Sequence, residues 1–227
     1  MTLKDMETAV TLNQKEKQSL LEAIQMMSEF FWGPRPEFCQ AMRQTPFWQS
    51  FEEILPRLGT IAVQIFESLK SIPRQFSNSQ DFYNALEEEY IRSIISNRHG
   101  IQAPLYASCY TEDDSVEKGP LMGEPALVMQ RRLQSKGLSL AADIGEPPDH
   151  LSIELEYLFF LLGKGWDEAD PKLIEEAGFF VEETVLPWVS KLKKNLATGE
   201  APGVFYPLLV TLLVALLELI VRHASGV

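Results

Sequence analysis

Apolar residues recur three and four positions apart along nearly the whole chain, which is the period of helices with one buried face. Leu20, Leu21, Ile24, Met27 and Phe31 predict a first helix that stops before Gly33-Pro34, and a short second one covers about Pro36 to Arg43. A third runs from about Pro46 through Phe47, Phe51, Ile54, Leu55, Leu58, Ile61 and Ile65 to Leu69. Pro56 should kink or split it, because proline lacks the N–H of the helical ladder. Asn78 or Ser79 can cap a fourth helix carrying Phe82, Leu86, Tyr90 and Ile94. Residues 97–123 read as a long connection interrupted by Pro104 and Pro120. Pro125 opens a fifth helix through Leu127, Val128 and Leu133, and Gly137 ends it.

A hinge-like loop follows over residues 138–148. The sixth helix is expected to start at Pro148 and to stop near Gly163 to Gly165. Asp170 caps a seventh, which passes Ile174, Phe179, Val181 and Val185 and should bend at Pro187. The loop from Ala197 to Gly203 precedes a last, wholly apolar helix. No strand alternation and no internal repeat appear in the pattern, so the expected fold is all-α: a single-domain multi-helix bundle over residues 1–227.

The stretch from Val204 to Val221 is nearly long enough to span a bilayer. It contains Pro207 and Glu218 and has no flanking basic cluster, so it is read as a central core helix without stable membrane insertion. Net charge is -12 with 45% hydrophobic residues. That balance excludes a general nucleic-acid binder and is compatible with a basic peptide or protein partner. The two cysteines, Cys39 and Cys109, are too isolated for a disulfide framework or a zinc ribbon. The expectation is therefore a reducing compartment, and no signal peptide is visible at the N-terminus.

Chemistry-bearing residues gather in one segment, Glu146-Pro-Pro-Asp149-His150, which leads into an apolar helix. Pro148 suits a first helical position, which would put Asp149 and His150 in the first turn. A carboxylate there is favoured by the free N–H groups and the helix dipole. His150 and Glu154 are one turn apart and are expected to face each other. Three histidines without a cysteine cluster or a Glu-x-x-His helix support no metal site, and no phosphate-binding glycine loop or nucleophile motif is present. Arg131-Arg132 reads as a solvated helix face, and the four tryptophans, Trp32, Trp48, Trp166 and Trp188, as core or edge anchors.

The Glu146-Pro-Pro-Asp-His150 run, followed by Ser152, Glu154-Leu-Glu156 and Tyr157, resembles the signature of the TorD/DmsD/NarJ-type family of redox-enzyme maturation chaperones. Tyr90-Ile-Arg92, Pro104-Leu-Tyr-Ala-Ser-Cys-Tyr110 and Leu186-Pro-Trp188 match weaker motifs of that family in the same order. The chain departs from the family pattern after Tyr90, where Gly100 is the candidate for a glycine turn, and before Trp188, where Glu183 stands near the usual histidine. These departures leave the subgroup and the client open.

The resemblance implies an all-helical, cytoplasmic, non-enzymatic chaperone. It would bind the twin-arginine signal peptide or N-terminal region of a molybdenum-containing oxidoreductase subunit until its cofactor is inserted. The expected client-binding residues are Tyr106, Ser108, Tyr110, Glu146, Pro148, Asp149, His150 and Glu154. Asp143, Glu146 and Asp149 would form an acidic rim around a trough of Tyr106, Tyr110 and Leu151. No cofactor of its own is expected, and the chain is read as a monomer or homodimer. Two other readings stand beside it: a small helical enzyme using Asp149 and His150 as acid and base, and a membrane-associated protein using Val204 to Val221.

Overall fold

In the computed structural model, residues 10–95, 103–110, 123–198 and 203–226 are described. They form an all-helical fold around one contiguous apolar core. Helix α1 (Gln14–Phe31) begins at Asn13, whose side chain accepts from Glu16 N–H while the Glu16 carboxylate accepts from Asn13 N–H. This reciprocal cap satisfies two otherwise unpaired amides. Helix α2 spans Pro36–Met42.

The third predicted helix is divided. A short 3-10 turn (Thr45–Trp48) leads into α3 (Gln49–Leu58), and α4 (Thr60–Ser71) follows. The break falls at Gly59, with φ +87°, and not at Pro56, which stays inside α3. A left-handed residue ends a helix outright, whereas proline near its C-terminus removes only one ladder bond. Helix α5 (Ser79–Tyr90) is capped by Asn78 as expected and widens into a π turn over Ile91–Ile95. The predicted connection 97–123 is described only at 103–110 and 123, so Gly100 lies outside the described residues.

Helix α6 (Glu124–Ser135) is followed by Gly137 at φ +72°. Helix α7 (Leu151–Asp167) packs along α1, and α8 (Pro171–Phe180), capped by Asp170, packs on α7. The bend expected at Pro187 is taken up just before it. Over Val181–Val185 the backbone forms a π turn in which Leu186 N–H donates to Val181 O, and α9 (Leu186–Thr198) continues from there. Since Pro187 has no N–H to offer, a widened turn is a low-cost accommodation.

Helix α10 (Phe205–Ala224) lies against α4, α8 and α9. It is long and apolar enough to cross a membrane, but 56% of its most apolar window is buried in the fold and Glu218 is exposed. Protein packing therefore accounts for its hydrophobicity. Truncating one of its fully buried leucines, such as Leu216 or Leu217, should cost about 2–5 kcal/mol. A Cβ on Gly178 would overlap Ala224, so this glycine lets α8 approach α10 closely. The N-terminus of α10 is held from another helix. The Glu89 carboxylate accepts from the amides of Val204, Phe205 and Tyr206 at 3.1, 3.3 and 2.8 Å.

Candidate functional site

The segment that was expected to open α7 does so three residues late. His150 N–H donates to Pro147 O at 3.0 Å, closing a turn, and helical geometry begins only at Leu151. Pro148, Asp149 and His150 are therefore outside the helix, contrary to the expectation that Pro148 is its first residue. The cause is a competing partner. Residues 105–107 lie antiparallel to 149–151: Ala107 N–H donates to Asp149 O at 3.1 Å and Leu151 N–H donates to Leu105 O at 2.8 Å. These bonds satisfy an amide at the α7 N-terminus that the helix itself leaves free, and they hold His150 extended.

Asp149 is fully buried, which corrects its assignment to an exposed acidic rim. Its Oδ2 accepts from the backbone N–H of Ser108 at 2.8 Å. The carboxylate thus caps the 3-10 turn Ala107–Tyr110 of the facing segment instead of its own helix. His150 takes the N-cap position of α7, its Nδ1 accepting from Ser152 N–H at 3.2 Å. An Nδ1 that accepts a proton donor is itself unprotonated, so the neutral ring carries its hydrogen on Nε2. Burial pushes the His150 pKa down to about 4, against the opposing influence of Glu146 and Asp149. The imidazole stacks on Trp32 with centroids 4.9 Å apart and meets the edge of Tyr106 at 5.3 Å.

The expected pairing of His150 with Glu154 does not form. Glu154 is fully buried, and its Oε2 accepts from Trp188 Nε1 at 2.9 Å, tying α7 to α9. Burial holds its carboxyl well above the usual range, the bond from Trp188 works in the opposite sense, and nearby Asp149 adds to the rise. Ser108 and Pro148 are buried as well. Tyr110 is buried, donates to Pro104 O at 2.9 Å and lies 5.5 Å from Trp188. Lys191 on α9 donates to Tyr110 O at 3.0 Å, a further fastening of this segment. Leu151, assigned to the trough, is wholly in the core.

Glu146 and Tyr106 are half-buried and paired, Tyr106 OH donating to the carboxylate at 2.6 Å. Asp143 is exposed nearby in sequence. The residues that sequence reasoning missed come from α1. Besides stacking on His150, Trp32 donates through Nε1 to Glu156 at 3.0 Å, and Ser28 and Ser152 exchange side-chain bonds to each other's carbonyls at 3.2 and 2.9 Å. These contacts bridge 124 positions and have no local spacing signal. Arg132, read as part of a solvated face, instead sits over Phe180 at 5.2 Å; Arg131 pairs with Glu124.

The arrangement is poor acid–base machinery. Asp149 and His150 each bond backbone amides, not each other, and His150 stays neutral far below pH 7. Three atoms of this interior, Asp149 Oδ1, Glu154 Oε1 and Ser108 Oγ, have no hydrogen-bond partner among the described residues. What remains at the surface is an aromatic and acidic cluster: Trp32, Tyr106 and Glu146, backed by the His150 ring.

A family model described as nitrate reductase delta subunit matches residues 52–194. The chain is 35% identical over 114 residues to a protein named Chaperone protein TorD from Psychrobacter sp. (strain PRwf-1), covering 49% of each. It is 34% identical over 122 residues to the Vibrio vulnificus (strain YJ016) protein of the same name, covering 52% of this chain and 54% of that one. In these two matches the chain spans about half the length of the relative. The Aliivibrio salmonicida (strain LFI1238) protein, also so named, aligns over 210 residues at 24% identity, covering 88% of this chain and 94% of that one.

Proposed function

The chain belongs to the nitrate reductase delta subunit family, and from that premise we propose that it is a cytoplasmic, non-enzymatic chaperone for a molybdopterin-containing oxidoreductase subunit. The relatives' shared name of chaperone supports the reading. The protein holds the client's N-terminal region, a twin-arginine signal peptide where one is present, until cofactor insertion is complete. Residues 138–148 act as the hinge, and the client meets the surface formed by Trp32, Tyr106 and Glu146, which the buried His150 ring backs.

The observation that carries this placement is the clasp between residues 105–107 and 149–151. It fixes a half-buried carboxylate beside stacked aromatic rings by main-chain bonds. A basic and apolar peptide is matched by that pairing: guanidinium groups bind carboxylates in a fork, and apolar side chains lie on aromatic faces. Asp149, Glu154, Ser108 and Tyr110 contribute by holding the clasp, since their burial keeps them from a peptide in this conformation.

Calorimetry with a synthetic peptide carrying paired arginines and an apolar run tests this. Glu146→Gln retains an acceptor for Tyr106 OH and removes the charge, and it should weaken binding about tenfold or more. A wild-type protein that fails to bind, or a Glu146→Gln variant with unchanged affinity, refutes the placement.

A further inference from the structure

A cavity lies away from the clasp, where residues 10–12 cross the ends of α7 and α10. It has a volume of about 470 Å³ and is lined by Leu12, Lys17, Trp166, Pro171, Ile174 and His223 among others. His223 is 4% exposed, and its Nδ1 is 2.8 Å from Val10 O. A carbonyl can only accept, so Nδ1 carries the hydrogen and Nε2 presents a bare lone pair. That Nε2 is buried and has no hydrogen-bond partner among the described residues. Burial lowers the ring's pKa, the bond to Val10 O works in the opposite sense, and the Lys17 charge lowers it further.

Trp166, which also lines the cavity, has an Nε1 that is likewise buried without a partner among the described residues. The two rings lie 5.8 Å apart, and the Lys17 amine stands 5.6 Å from the Trp166 centroid. The turn behind them is strained into shape: Ala169 has φ +53°, and Asp170 N–H donates to Gly165 O at 2.9 Å. Asp170 also lines the cavity, with Oδ1 engaged by Lys172 N–H. It disfavours an anion at the α8 end and leaves the Lys17 side as the cationic pole.

Unpaired buried donors and acceptors are costly, and a ligand that satisfies them is correspondingly favoured. We propose that this cavity is a binding site for a small hydroxyaryl carboxylate. The carboxylate meets Lys17 and the Trp166 N–H, the ring packs on Leu12, Pro171 and Ile174, and the hydroxyl donates to His223 Nε2.

The test uses the full chain with 4-hydroxybenzoate and 3-hydroxybenzoate, titrated by ligand-observed NMR and calorimetry. Saturable binding is expected for at least one of them. Benzoate, which lacks the hydroxyl donor, should bind about tenfold more weakly, as should the Trp166→Phe and Lys17→Met variants. Circular dichroism establishes that each variant is folded; should one not fold, the comparison with benzoate on the wild-type protein decides alone. Absence of saturable binding by both hydroxybenzoates up to about 10 mM, or equal affinity for benzoate, overturns the proposal.

Discussion

Asp149 can be tested as a structural clasp residue by comparing alanine with asparagine. The carboxylate is fully buried and makes one strong bond, from Ser108 N–H at 2.8 Å, while its other oxygen has no partner among the described residues. Alanine leaves the buried Ser108 amide unsatisfied, at about 1–3 kcal/mol, and opens a small void worth about 1 kcal/mol more. The expected loss is about 2–4 kcal/mol, a fall in Tm of about 4–16 °C for a chain of this length. Asparagine keeps an amide oxygen for Ser108 N–H and removes one of two neighbouring buried carboxyl groups, so its cost should stay below about 1 kcal/mol. Urea unfolding followed by far-ultraviolet circular dichroism gives both values, and tryptophan fluorescence should report the same transitions through Trp32 and Trp188. The slope with denaturant should be unchanged, since neither substitution alters the area exposed on unfolding. If asparagine proves as damaging as alanine, the charge and not the cap is what Asp149 supplies, and the clasp account fails.

Two further outcomes follow from the same geometry. Glu89→Ala removes the acceptor for three amides at the start of α10 and should cost about 2 kcal/mol, with Glu89→Gln about half as damaging, both measured by chemical denaturation; a loss under about 0.5 kcal/mol for alanine would show that water replaces the cap at no cost. His150 has its folded pKa depressed to about 4, so its contribution is complete above the unfolded value near 6.5 and is lost as pH falls from there toward 4. The effect is at most about 3 kcal/mol. His223 shifts in the same direction, and the carboxyl of Glu154, raised by burial, shifts in the opposite sense, so wild-type curves alone are ambiguous. His150→Asn keeps an N-cap acceptor for Ser152 N–H, and the stability difference between wild type and this variant should narrow across that window; parallel curves would contradict the assignment.

Features that depend on neighbouring residues were legible in the sequence. The caps at Asn78 and Asp170, the stop before Gly33, the end at Gly137 and the apolar run of α10 all lie where the residue pattern puts them. The misplacements share one cause, a partner distant in the chain. Pro56 looks like a breaker, but Gly59 can take a left-handed φ and ends the helix three residues later. Pro148 looks like a first helical residue, but residues 105–107 supply main-chain partners to Asp149 and Leu151 that hold His150 extended and outside the helix. Trp32 carries no local mark of its stacking on His150, because the contact exists only once α1 lies along α7.

The same distance effect divides the residues of the recognised motif into two kinds. A family signature records that Glu146, Asp149, His150 and Glu154 occur together; it does not say which of them a client can reach. Burial does. Asp149 and Glu154 are inaccessible, and each spends one oxygen on a donor from another part of the chain: Ser108 N–H for one, Trp188 Nε1 for the other. A requirement for both acids can therefore arise from joining the 103–110 segment and α9 to the start of α7. Glu146 is different, being half-buried and bonded to a tyrosine that is also half-buried. Substitutions at Asp149 and Glu154 should thus lower stability and peptide binding together, whereas Glu146→Gln should lower binding alone. A motif that appears as one recognition element in the sequence is, in three dimensions, a buried clasp carrying a much smaller exposed surface.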